Sequence, residues 1–186
     1  MSAISDNDHD AFQRLLRAGA LVNEPDSQSR GNTPLLLALD GNCDRIVRDL
    51  LENGADCNLP DADGTTPLMM AAQRDNLENV KLLISRGADL DAVNENERQG
   101  ALVFAEDWDV VRLLVESGAN LEIRDDSGQT PLAVAARIGD EKKAEILLEV
   151  GADPKSKDDR GLTPLEIAKE GKHQSIVELF RSKRLI

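Results

Sequence analysis

Tyrosine is absent from the chain, tryptophan occurs once, and aromatic residues make up only 2% of its 186 positions. Aromatic rings bury more area than other side chains and dominate large single cores. Their scarcity argues against one thick globular centre and for many thin layers of Leu, Ala, Val and Ile. Cys43 and Cys57 are the only cysteines, too few to staple a chain of this length or to complete a four-ligand zinc site. They read as unpaired thiols. No apolar run approaches the roughly 18 residues of a membrane-spanning helix, and no charged-then-apolar leader opens the sequence. Basic residues are outnumbered 22 to 35, for a formal charge of −13. That field repels DNA, RNA and anionic membrane, whose binding needs Lys and Arg to displace condensed counterions. It speeds encounter with basic partners, or serves solubility alone. The expectation is a soluble, cytoplasmic protein, a monomer in isolation, with neither nucleic acid nor membrane among its partners.

Motifs for chemistry are missing too. No phosphate-binding Gly-x-x-x-x-Gly-Lys-Ser/Thr run occurs, nor Gly-x-Gly-x-x-Gly, nor Gly-x-Ser-x-Gly. Asp61-x-Asp63-Gly64 has the look of a calcium loop but lacks the bidentate Glu at its twelfth position. It reads as a turn. Carboxylate pairs such as Asp107 and Asp109 suit acid–base work only inside a pocket that raises a pKa, and otherwise form a solvated face. The expectation is no enzyme, no metal and no cofactor.

What the sequence does contain is a period. Thr-Pro-Leu begins at Thr33, Thr66, Thr130 and Thr163, so successive prolines lie 33, 64 and 33 residues apart. Gly-Ala followed by Asp or Asn begins at Gly54, Gly87, Gly118 and Gly151, with a weaker copy at Gly19. Two independent marks share one period of about 33, the signature of stacked repeats. Thr caps a helix with its hydroxyl, and Pro suits the first helical position, where no N–H is needed. Leu and small residues such as Ala71-Ala72 then make an apolar stripe. A second helix follows with pairs one turn apart, such as Val80 with Leu83-Ile84. Glycine ends it in a left-handed conformation, and Asp61-Ala62-Asp63-Gly64 and Asp125-Asp126-Ser127-Gly128 read as turns. Met69-Met70 and Phe104 lie on helix stripes and read as core.

This pattern resembles the ankyrin repeat: a turn with Gly, Thr-Pro-Leu-His, two helices, then Gly-Ala-Asp. The resemblance covers essentially the whole chain, divided into units 1–24 (a partial cap), 25–60, 61–93, 94–124 (degenerate), 125–157 and 158–186 (a cap). It implies an all-α solenoid of about six stacked helix-turn-helix units with projecting β-turn hairpins. The family's His is replaced by Leu36, Met69, Ala133 and Glu166, which implies loss of a local hydrogen bond rather than of the fold. Asp10 to Arg17 reads as the second helix of the first unit, little of whose first helix remains. His9 and His173 then fall at opposite ends of the stack, too far apart to share a site.

Unit 94–124 departs most. Gly100-Ala101-Leu102 stands where Thr-Pro-Leu belongs, and Leu102 to Gly118 spans 16 residues against 19 from Leu68 to Gly87. About three residues are missing, so its first helix should be short or tilted. Functional positions break local rules, and ordinary drift does so equally. The acidity is concentrated here: residues 87–126 hold eleven acidic and three basic residues, a net of −8, while 154–186 hold five and eight, a net of +3. Trp108 lies in the acidic block. Either it fills the gap left by the deletion, or it is an exposed anchor of the kind enriched at hot spots.

The resemblance implies a non-catalytic module whose hairpin turns and first helices hold and regulate a protein. Positions that match the family's contact pattern are Ser29, Arg30, Asn32, Asp40 and Gly41, then Ala62, Asp63, Thr65, Gln73 and Arg74. The fifth unit supplies Asp126, Ser127, Gln129, Arg137 and Ile138, and the last Asp159, Arg160 and Leu162. Asp107, Trp108 and Asp109 join them on composition alone. A basic protein is the expected partner. Narrower forms are an immunity-type inhibitor covering a basic toxin or nuclease, and a scaffold joining two proteins.

Overall fold

The computed structural model describes residues 2–5, 7–26 and 30–185. Among them lie twelve α-helices and no strand, apart from one isolated antiparallel bridge between Asp26 and Asn32. The helices are α1 (Ser2–Ser5), α2 (His9–Arg17), α3 (Pro34–Asp40), α4 (Asp44–Glu52), α5 (Pro67–Gln73) and α6 (Leu77–Ser85). Then come α7 (Ala101–Phe104), α8 (Trp108–Glu116), α9 (Pro131–Ile138), α10 (Glu141–Glu149), α11 (Pro164–Glu170) and α12 (Gln174–Ser182). The odd-numbered helices pack on one another in sequence order, as do the even-numbered ones. The result is a two-layered, all-α repeat stack in which each unit touches mainly its neighbours.

Local chemistry fixes the helix starts. Thr33, Thr66, Thr130 and Thr163 each accept a hydrogen bond from the amide three residues on, that of Leu36, Met69, Ala133 and Glu166. Such a cap contributes about 1 kcal/mol. At the last unit, Glu166 Oε2 also accepts from the Thr163 N–H at 2.8 Å. A carboxylate there supplies a local hydrogen bond of its own in place of the absent histidine, so the expected loss does not occur at that unit. Helix ends are fixed by glycine. Gly87 has φ +84°, and a side-chain carbon built there would meet nothing within 4 Å. Backbone conformation alone, not space, demands glycine at that position.

The core is a line of small layers. Leu50, Leu83, Leu114 and Leu147 share one register position in the second helices and are all fully buried; burial of each contributes about 1.5–3 kcal/mol. Ala38, Ala71, Ala72, Ala135 and Ala136 are buried in the first helices, where a small side chain lets backbones approach. Met69 is buried, while Met70 and Phe104 are half-buried against the core. Leu15 occupies the register position of those four leucines yet is 45% exposed, its helix packing among the described elements on α1 and α4. The helix that precedes α2 there, α1, has four residues.

Polar side chains stitch one unit to the next. Asn23, Asn58, Asp91 and Glu122 accept from the backbone N–H of Asp56, Asp89, Asn120 and Asp153, at 2.8, 2.8, 2.8 and 2.9 Å. The four bonds repeat once per unit, so the unit-to-unit geometry carries through the irregular unit unbroken.

Candidate protein-binding surface

From the third unit onward, each unit opens with a hairpin whose first residue ties it shut. Asp61 Oδ1 accepts from the N–H groups of Asp63 and Thr65. Asp125 does the same for Ser127 and Gln129, and Asp158 for Arg160 and Leu162. In the irregular unit Asn94 takes this role, accepting from Glu97 and Gln99. The span from Asp61 to Thr65 is four residues and that from Asn94 to Gln99 is five. The unit therefore carries one extra residue in its hairpin as well as the deletion in its helices.

The hairpin tips form a continuous row. Ala62 N–H donates to the Arg30 carbonyl (3.0 Å), Glu95 to Asp63 (2.9 Å), Asp126 to Glu97 (3.1 Å) and Asp159 to Ser127 (3.1 Å). The structure thus brings together Arg30, Ala62, Asp63, Asp126, Ser127 and Asp159 from the sequence-based set. It adds Glu95 and Glu97, which sequence reasoning missed because the fourth unit did not align. The signal was present: Asn94 continues the Asp61, Asp125, Asp158 register. Charges along the row are partly matched, with Arg30 at 3.6 Å from Asp63, Arg98 at 3.9 Å from Asp126, and Arg160 at 3.2 Å from Asp158 and 3.1 Å from Glu170. The Arg30–Asp63, Arg98–Asp126 and Arg160–Glu170 pairs are exposed on both sides and contribute little to stability, whereas Asp158 is buried.

At the ends of the first helices away from the row stand Asp40, Gly41, Gln73, Arg74, Arg137 and Ile138, all exposed, with Ile138 at 54%. Arg74 pairs with Asp40. Between the fourth and fifth units lies an open depression of about 380 Å³ lined by Asn96, Glu97, Gln99, Asp126, Ser127 and Arg137, among others. Gln129, at the same place, is only 6% exposed. Its Oε1 accepts from Arg137 Nε at 2.9 Å and its amide bonds the Asp158 carboxylate, so it orients Arg137 rather than offering a surface of its own. Asn32, Thr65 and Leu162 are half-buried hairpin residues. Ser29 lies outside the described residues.

Trp108 does not fill the gap left by the deletion. It is 55% exposed at the first position of α8, at the opposite end of the first helix from the hairpins. Glu106, Asp107 and Asp109 around it are exposed. Asp107 is more than a solvated charge, because it caps α8 by accepting from the N–H groups of Asp109 and Val110.

The remaining reactive side chains serve packing. His9 Nε2 lies 2.6 Å from Asp49 Oδ2, and the Arg137 carbonyl accepts from His173 Nε2 at 2.9 Å. Cys43 and Cys57 are buried and unpaired. Burial pushes both thiols up, with Asp44 and Asp56 respectively adding to it, which disfavours the reactive thiolate. Among the described residues no three of His, Cys, Asp and Glu gather as a metal-binding set, and no helix is long and apolar enough to cross a membrane.

A family model described as ankyrin repeats (3 copies) matches residues 1–94 and 99–184. The chain belongs to the ankyrin-repeat family. The break in the match falls in the hairpin of the irregular unit. Similar proteins include the neurogenic locus notch homolog protein 1 of Xenopus tropicalis, 35% identical over 130 residues, which are 68% of this chain and 5% of the relative. A putative palmitoyltransferase ZDHHC13 of Danio rerio is 33% identical over 129 residues, 67% of this chain and 20% of its own length. A putative ankyrin repeat-containing protein of Treponema pallidum (strain Nichols) is 37% identical over 100 residues, 52% and 33%. The chain thus spans between a twentieth and a third of these relatives. Ankyrin repeats are generally non-catalytic protein–protein interaction modules.

Proposed function

We propose that this ankyrin-repeat chain is a non-catalytic module that binds and regulates a basic protein, as a cytoplasmic monomer whose units 1–24 to 158–186 act as one domain. The observation that carries this reading is the exposed Trp108 amid Glu106, Asp107 and Asp109, within a block of net charge −8. Large exposed aromatics act as anchors, and an acidic surround steers cationic partners toward them. The hairpin row and the first-helix ends would extend the contact, with Arg137 and Arg30 reading acidic groups on the same partner. The same features suit an immunity-type inhibitor lying over the basic active site of a toxin or nuclease; a basic enzyme encoded beside this chain would favour that form.

The experiment is a pulldown from native lysate with mass spectrometry, followed by association kinetics of the recovered partner at several salt concentrations. Affinity should fall steeply with salt, since exposed charges are screened within about 8 Å at physiological ionic strength. Reversing Asp109 to Lys should mainly slow association, and Trp108→Ala should mainly speed dissociation. Salt-independent affinity with both variants silent would reduce the acidic block to a solubilising face.

A further inference from the structure

Lys143 is the one buried cation among the described residues, at 3% exposed. It sits at the third position of α10, where α4, α6, α8 and α12 carry Ile46, Asn79, Val110 and Ile176, all buried. An ammonium at such a position is costly unless something holds it. What holds it is the irregular unit: Lys143 Nζ donates to the Val103 carbonyl at 3.0 Å.

Backbone accounting explains the contact. In a helix of ordinary length, the carbonyls of Leu102 and Val103 would accept from the N–H groups of Glu106 and Asp107. The deletion ends α7 at Phe104, and the chain turns extended at Ala105. The Glu106 and Asp107 amides donate instead to Asp75 Oδ1, at 2.9 and 2.7 Å. Asp75 lies in the inter-helix turn of the preceding unit and Lys143 in the following one. The missing turn is thus replaced from both sides. Burial lowers the Lys143 pKa, while Asp140, Glu106 and Asp75 oppose that shift and favour its charged form.

We propose that Asp75 and Lys143 are positioning residues for Trp108, holding the truncated turn Val103–Asp107 so that the indole is presented outward in one fixed pose. This rests on the reading above that Trp108 meets a partner. A merely structural role predicts that exchanging Lys143 for an apolar residue costs stability, by leaving the Val103 carbonyl without its donor, while the pose of Trp108 is unchanged. Positioning predicts that the same exchange frees Trp108.

Trp108 is the only tryptophan and tyrosine is absent, so fluorescence anisotropy and acrylamide quenching report on this side chain alone, with no partner needed. Lys143→Met and Asp75→Ala should lower the anisotropy and raise quenching, and the conservative Lys143→Arg and Asp75→Asn should restore both. Binding of an oligo-arginine peptide should weaken roughly three- to ten-fold in the first two variants, as for loss of one hydrogen bond. In the wild-type chain, where folding is not at issue, the Glu106 and Asp107 amides should be protected from hydrogen exchange. Trp108 readouts unchanged in folded Lys143→Met, or Glu106 and Asp107 amides exchanging as fast as exposed hairpin amides, would overturn the proposal. Altered Trp108 readouts with unchanged peptide affinity would leave the positioning intact and remove the partner-binding reading instead.

Discussion

The third and fourth units carry out one job by different means. In the third, the chain supplies its own punctuation: Thr66 caps α5, Pro67 opens it, and seven residues give a helix of about 10 Å at 1.5 Å per residue. In the fourth, Gly100 offers no capping side chain and α7 has four residues, about 6 Å. Its C-terminal end and the turn after it are satisfied by Asp75 and Lys143 from the adjacent units. A quasi-one-dimensional stack tolerates a broken unit when its neighbours supply the lost hydrogen bonds, because each unit is braced mainly by the two beside it.

The comparison breaks most visibly in the core. Leu132→Ala, in a regular unit, should cost roughly 2–5 kcal/mol in urea unfolding. Leu102→Ala should fall at or below the low end of that range, since a four-residue helix can settle into the space more easily. Equal losses would mean the irregular unit is as rigidly packed as its neighbours.

Transplanting the missing cap should fail. A side-chain carbon at Gly100 would lie 2.9 Å from the Ala92 carbonyl oxygen. Gly100→Thr should therefore destabilise by about 1–3 kcal/mol, the usual cost of overpacking, despite creating a better capping residue. A gain in melting temperature would show that the hairpin moves aside freely. Conversely, Thr66→Ala should cost about 0.5–2 kcal/mol, the value of the cap alone.

At the helix ends, Gly87→Val should cost more than Gly41→Val. Gly87 requires a left-handed backbone (φ +84°), worth roughly 1–2 kcal/mol against an L-residue. Gly41 has φ −81° and asks its neighbours, Cys43 Sγ at 3.2 Å and the Leu37 carbonyl at 3.3 Å, to give only a few tenths of an ångström. The reverse order in thermal unfolding would place the constraint in packing rather than in φ.

The smallest expected effect is in pH. Asp158 is buried, which raises its pKa, but the Leu162 and Arg160 hydrogen bonds outweigh burial and hold it below the usual carboxylate range. A carboxyl depressed on folding contributes stability that is full above its unfolded pKa and is lost as pH falls through the folded one. Asn94 holds the corresponding hairpin of the irregular unit without titrating. Exchange of the Leu162 amide should quicken on acidification below the unfolded carboxylate value, while that of Gln99 keeps its intrinsic dependence; parallel behaviour of the two would remove the assigned role of Asp158.

Much of this was legible in the residues because the deciding interactions are local. A Thr three residues before the amide it caps, and a glycine where φ must be positive, act within one turn of chain, so the period and the helix starts could be read from spacing, and the all-α class followed from the family resemblance they carry. The short first helix of the fourth unit followed from counting Leu102 to Gly118. Trp108 was not decidable, because the same count fits a ring filling a gap and a ring standing outside it. Gln129 matched the family's contact position but is buried, because Arg137 and Asp158 claim its amide group across 8 and 29 residues of sequence.

Sequence by itself determined the repeat and where its acidity lies, since the repeat's marks act within one or two helical turns. Tertiary structure alone decided how the broken unit is repaired and what it exposes. The partners that repair it, Asp75 and Lys143, lie about one repeat away on either side. No local pattern distinguishes them from any surface Asp or Lys until stacking brings their charged ends to the open turn.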